Sequence, residues 1–281
     1  MDQLLDRPEF QSAVIPFVVA LLLYSGLRKL TATAWVWAIF AAFLVSAGLI
    51  NGFILTPLTG TRKIILLILG ALILAGLAPY LIRQLKLQSA VAPVLTILAL
   101  IWVFGKVVAR LDLTGIALFL IGGVGLVIWL LWAFDRIAGS DAQLHGAGFS
   151  LMLGIGLSAT AAASALLGQI ALSLAAASGG AFLAWVLQGK AVNSGKASAS
   201  IATLPYVLSA ALIGIAAVIF ARLPWYALIP LAAIPLATSL IPVKFESRFL
   251  NALLSSLPGL VIALGVAFWV WQTSSSSSSG Y

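Results

Sequence analysis

A chain of 281 residues that is 63% hydrophobic and only 8% charged cannot be a water-soluble domain, because soluble folds carry roughly 25% charged residues and 45–50% apolar ones. The solvent for so much apolar surface is lipid. The formal charge of +8 falls between apolar stretches, where it orients helices and meets anionic headgroups, so no nucleic-acid partner is expected.

The chain opens on an acidic segment, MDQLLDRPEFQ. A secretory signal has a positive region before its apolar core; here Arg28 and Lys29 follow the first apolar stretch instead. That order predicts a retained transmembrane helix with its N-terminus outside. A spanning helix needs about 20 mostly apolar residues, and about ten stretches qualify. They are Ser12 to Leu27, Ala34 to Phe53, Ile64 to Ile82, Ala90 to Val108, Thr114 to Phe134, Gly146 to Leu166, Ile170 to Leu187, Ile201 to Ala221, Trp225 to Ile241 and Leu257 to Trp271. The fold expected is therefore an all-α polytopic membrane bundle, a single membrane domain over 1–272. A serine-rich tail, 273–281, cannot bury enough to fold and is expected to be disordered.

The loop from Asn51 to Lys63, NGFILTPLTGTRK, combines Gly52, Pro57 and Gly60 with paired cations. Backbone N–H groups with Arg62 and Lys63 at the start of the third span would receive an anion or headgroup phosphate. The ordinary reading is a turn, a helix cap and an interfacial anchor. Asn51 is also placed to bond across helices. Trp35, Trp37, Trp102, Trp132, Trp225, Trp269 and Trp271 fall near span ends, where aromatic rings favour the headgroup layer.

The most distinctive stretch is Gly154 to Ala181, composed mostly of Gly, Ala, Ser and Thr. It reads as two closely packed helices meeting at a turn near Leu167, Gly168 and Gln169, and small residues let their backbones approach. This hairpin is expected at the structural centre. A solute pathway, if the chain has one, is expected beside it, bounded by Ser158, Ser164 and Gln169. The ninth span carries Pro230 and Pro235, which break the backbone ladder.

The halves 10–134 and 146–272 are similar in length and share weak echoes, such as LLLYSGL with LMLGIGL. A five-plus-five repeat would have inverted topology, as many secondary transporters do. With the N-terminus outside, the inner loops hold Arg28, Lys29, Arg83, Lys86, Arg136, Lys190, Lys196, Lys244 and Arg248, and the outer side holds Arg7, Arg62, Lys63, Lys106, Arg110 and Arg222. This bias fits a plasma membrane, the inner one in a bacterium, with both termini outside.

Chemistry is sparse. No Cys and one His, His145, exclude a thiolate or multi-histidine metal site, and no cofactor is expected. Asp2, Asp6, Glu9, Asp112, Asp135, Asp141 and Glu246 all sit at termini or in loops, which argues against a carboxylate proton relay. No motif for catalysis or nucleotide binding occurs, so no enzyme is expected. Two functions remain: a small permease for an uncharged, amphipathic or lipid-like solute, or a non-catalytic membrane subunit packing against a partner protein or a second copy.

Overall fold

The structure, a computed structural model, describes residues 7–31, 33–52, 56–81, 85–188, 199–241 and 246–276. Arg83, Lys190, Lys196 and Lys244, four of the expected inner cations, lie outside them. Its helices are α1 (Ile15–Leu27, preceded by a π-helical turn at Phe10–Val14), α2 (Ala34–Asn51), α3 (Gly60–Leu81), α4 (Leu85–Val108), α5 (Leu113–Ile137), α6 (Asp141–Ala161), α7 (Ala165–Gln188) and α8 (Ala199–Phe220). A 3₁₀ turn at Trp225–Ala227 leads into two short helices, α9 (Leu228–Ala232) and α10 (Ile234–Ser239), before α11 (Arg248–Ser276). Among the described residues 9 helices are long and apolar enough to cross a membrane. The chain is a polytopic all-α membrane bundle.

The stretch Trp225–Ser239 is short for a span but runs the height of the bundle beside α6. Tyr226 meets Trp269, late in α11, with ring centroids 5.1 Å apart. A Cβ at Gly154 would lie 2.6 Å from Leu231, and Ile234 comes against Gly259 alongside Ser150. At the far end Gln143 Nε2 donates to the carbonyls of Thr238 (3.2 Å) and Ile241 (2.8 Å). The expected ninth span thus keeps its place, but in two pieces, because Pro235 has no N–H for the carbonyl four residues back.

Following the helices in this way sorts the loops to two ends. Arg28, Lys29, Arg136, Asp141 and Arg248 share one end, called the Arg28 end here. Arg7, Arg62, Lys63, Arg110, Arg222 and the last turns of α11 share the other, the Arg62 end. The final helix continues through Ser276, so the first residues of the expected tail are helical. Thr273 Oγ1 and Ser274 Oγ donate back to the Val270 carbonyl at 2.9 Å. Residues 277–281 lie outside the described residues.

The most enclosed helices are α6, α7 and α8, and the least are α1 and α5. The reason lies in the glycines of α6. A Cβ at Gly146 would lie 3.3 Å from Ser256 of α11, and at Gly148 2.5 Å from the Tyr206 ring of α8. At Gly154 it would meet Leu231 of α9, and at Gly156 Leu172 of α7, 2.8 Å away. Four neighbours therefore close on one helix. On α7, a Cβ at Gly180 would run into the carbonyl of Phe17, so α1 lies directly on its backbone.

The expected hairpin at Gly154 to Ala181 is present, but its turn falls earlier, at 162–164, not at Leu167 to Gln169. Ala163 takes the left-handed conformation (φ 74°). Its N–H donates to the Thr160 carbonyl (3.2 Å) and that of Ser164 to the Ala159 carbonyl (3.0 Å), the paired bonds of a Schellman ending. Ser164 Oγ then accepts from the Leu167 N–H at 3.4 Å and starts α7. Gly168 serves packing: a Cβ there would collide with the Thr160 hydroxyl.

The packing does not follow a five-plus-five pairing. The sixth crossing, α6, lies along the last, α11, over much of its length. Their counterparts in the first half, α1 and α5, have no comparable contact among the described residues.

Two outcomes follow for stability in detergent. Gly180→Ala should cost about 1–3 kcal/mol by forcing α1 off α7, whereas Gly70→Ala, where an added Cβ meets open space, should not lower the thermal midpoint. Ala163→Gly should raise it, by up to about 1 kcal/mol, since glycine relieves the left-handed backbone.

Candidate functional site

Neither large cleft of the bundle lies where the sequence pointed. The first, about 590 Å³, opens sideways between α5, α8 and the broken segment Trp225–Ser239. Its α5 wall comes from Gly122, Gly123 and Gly125, with Phe119, Leu126 and Trp129; Ile215, Ile229 and Ala233 lie opposite. Added Cβ atoms at Gly122 and Gly125 would meet nothing within contact distance, so the missing side chains are the space of the cleft. Its one prominent polar feature is at the helix break, where Trp129 Nε1 donates to the Ala232 carbonyl at 2.9 Å. The wall is otherwise apolar: it excludes ions and accepts hydrocarbon.

The second cleft, about 660 Å³, opens on another flank between the π turn with α1, and α6, α7 and α11. Ala175, Ala176 and Gly179 of α7 form its floor, and Phe17, Phe149, Leu183 and Phe249 stand around it. Neither cleft is lined by a charged side chain.

Behind the second cleft lies a buried aromatic cluster. Phe182, which lines the cleft, has its ring centroid 6.0 Å from that of His145. Trp35 stands edge-on to His145 at 5.0 Å and stacks at 6.4 Å on Tyr206, which stacks at 6.1 Å on Phe134. Trp35, read from sequence as an interfacial ring, is turned inward. His145 Nδ1, Trp185 Nε1 and Tyr206 Oη are buried without a hydrogen-bond partner among the described residues.

The six residues singled out from the sequence fall elsewhere, and none lines either cleft. Ser158 is fully buried and its hydroxyl has no partner among the described residues. Ser164 caps α7. The Gln169 carbonyl accepts from Ser173 Oγ at 2.7 Å, and Ser173 Oγ lies 2.7 Å from Ser46 Oγ of α2. Ser46 Oγ also reaches the Gln11 carbonyl, so its single proton is shared between Ser173 Oγ and that carbonyl. Neither Ile15, whose N–H goes to Phe10 in the π turn, nor the next residue, Pro16, supplies that carbonyl with a main-chain donor. One short polar string thus ties α1, α2 and α7 together.

At the Arg62 end, Asn51 closes α2 with its Nδ2 buried and unpaired among the described residues. Arg62 donates to the Pro57 carbonyl at 2.7 Å. Lys63 donates to the Trp102 carbonyl at 3.1 Å and lies 4.9 Å from the centre of its ring. Both cations thus donate to carbonyls of neighbouring chain. The signal for the first cleft was present in GGVG of α5, three glycines on an otherwise bulky span.

The fold and its clefts define a class: a polytopic helical membrane protein with apolar recesses open at its flanks. Neither protein-family models nor curated protein sequences give a match to this chain.

Replacing Trp129 by Phe keeps the ring and removes the donor to the helix break. The variant should lose about 1 kcal/mol of stability, read as a lower thermal midpoint in detergent.

Proposed function

We propose that the protein is a small permease for an uncharged, amphipathic or lipid-like solute, taken up from the side into the cleft between α5, α8 and the segment Trp225–Ser239. The observation that supports this most is the cleft's position against a proline-broken segment. Interrupted helices expose backbone polar groups only where protein or a cavity shelters them, and transporter sites are often built beside them. Here the Ala232 carbonyl, which takes the indole N–H on one lone pair, keeps the other for a solute's hydroxyl, and the remaining wall suits hydrocarbon.

In the orientation we favour, the Arg28 end faces the cytoplasm of a plasma or bacterial inner membrane, because the sequence segments expected inside carry nine Lys and Arg against six in those expected outside. Both chain ends then lie outside. The alternative is a non-catalytic subunit whose flank packs on a partner or on a second copy. The small-residue floor Ala175, Ala176 and Gly179 favours it, since such surfaces seat helices closely.

The test is flux. Vesicles containing the purified protein are loaded with a fluorescent alkyl glucoside, whose sugar slows spontaneous flipping. Access to an external quencher should be faster than in protein-free vesicles. Gly125→Leu, which puts a bulky side chain into the cleft from a position where an added Cβ meets open space, should slow it at least fivefold. A wild-type rate equal to that of empty vesicles, or a Gly125→Leu rate equal to wild type, would overturn the permease reading.

A further inference from the structure

The second cleft carries an inference of its own, independent of the solute proposal because it lies on a different flank. We infer that the recess between α1, α6, α7 and α11 holds an acyl chain of an anionic phospholipid, whose phosphate is met by Arg28 and Arg248.

The cleft has the shape of a chain site. Its lining follows α7 from Val186, near the Arg28 end, to Leu172, about 20 Å at 1.5 Å per residue. One leaflet of hydrocarbon is about 15 Å deep, so a chain entering from the Arg28 end is accommodated along its whole length. The floor is low because Ala175, Ala176 and Gly179 have almost no side chain. The rim is high because Leu183, Phe249 and Leu253 stand exposed. A groove of that section suits a narrow, flexible hydrocarbon chain.

The mouth supplies the charge. Arg28 closes α1 and one of its nitrogens donates to the carbonyl of Gln188, two residues beyond Val186. Gln188 is held in turn by its own bond to Ser25 Oγ at 2.5 Å. A guanidinium carries five N–H donors, so the bond to Gln188 fixes Arg28 in place without using up its fork. Arg248 is exposed at the first turn of α11, next to Phe249 of the rim. Ser255 Oγ donates to the Ala142 carbonyl at 3.1 Å, which fixes that start of α11 beside the start of α6. The acids of this end, Asp135, Asp141 and Glu246, are fewer than its Lys and Arg. Arg28, Arg248 and Asp141 all lie within electrostatic reach of Tyr24 of α1, so the two guanidinium groups share this mouth with one carboxylate. A planar guanidinium fork receives a phosphodiester, and two positive charges against one leave room for it.

The experiment is native mass spectrometry of the delipidated full-length protein, titrated with phosphatidylglycerol or phosphatidylcholine of identical chains. Phosphatidylglycerol should bind at one site at least tenfold more tightly. Each arginine should contribute about fivefold: Arg248→Gln, whose exposed side chain makes no hydrogen bond among the described residues, should lose that much, and Arg28→Gln with Arg248→Gln much more. Ala176→Phe, filling the floor, should abolish the site while both arginines remain. Equal affinity for the two lipids would overturn the proposal. So would undiminished phosphatidylglycerol binding in Ala176→Phe, or a dimer with cross-links through position 176 and no bound lipid. Gly125→Leu leaves this site intact, so failure of the solute reading and failure of this one are read separately.

Discussion

The constraint on which the bundle depends is the thinness of α6. In lipid, apolar surface gains little by turning inward, since the chains outside are as apolar as leucine; association relies on close packing and a few hydrogen bonds. Gly146, Gly148, Gly154 and Gly156 let α11, α8, α9 and α7 approach on different sides of one helix. The arrangement repeats one shell out, where Gly180 lets α1 rest on α7. Dispersion falls off within a fraction of an ångström, so each glycine sets whether a whole interface makes contact.

Around that centre the polar groups serve mainly to mend the backbone. The π turn and Pro16 deny the Gln11 carbonyl a donor from Ile15 or residue 16, and Ser46 reaches it from α2. The break ahead of Pro235 lies beside Ala232, whose carbonyl Trp129 engages, and Gln143 holds the last carbonyls of the same segment. Each repair reaches from a different helix, so interruptions that would weaken a lone span become cross-links in the bundle. Of the buried side-chain atoms left without a partner among the described residues, His145 Nδ1, Trp185 Nε1 and Tyr206 Oη sit together in one aromatic cluster near the Arg28 end, apart from Asn51 Nδ2 and Ser158 Oγ.

Much of the fold was legible in the sequence, because span length and charge placement are one-dimensional properties imposed by lipid. The hairpin Gly154 to Ala181 was legible for the same reason, since small residues in a long apolar run have one main use. Its turn was misplaced because Gly168 looked like a chain reversal, whereas an alanine takes the left-handed position and the glycine admits Thr160. Trp35 was read as interfacial from its distance to a span end, yet which way a ring faces depends on neighbours far away in sequence. The clefts were the least legible feature. Each is a gap between helices distant along the chain, and a sequence records side chains rather than the spaces between them. Ser158, Ser164 and Gln169 were chosen for their hydroxyl and amide chemistry, but the Ser164 hydroxyl caps α7, the Ser158 hydroxyl is buried without a partner among the described residues, and Gln169 takes part through its main-chain carbonyl.

The short segment from Trp225 to Ser239 bears on the lipid as well as on the protein. Its 15 or so residues reach about 25 Å, allowing for a steeper rise in the 3₁₀ turn, against about 30 Å of hydrocarbon. That flank is mismatched to the bilayer, and the membrane beside it must thin or the segment's ends must draw headgroups and water inward. Thinning costs only fractions of a kcal/mol per ångström, but it falls on the flank where the first cleft opens. On the permease reading proposed above, a solute leaving one leaflet there would meet a shallower apolar barrier, and the deformation of the bilayer and the shape of the recess would act on the same route.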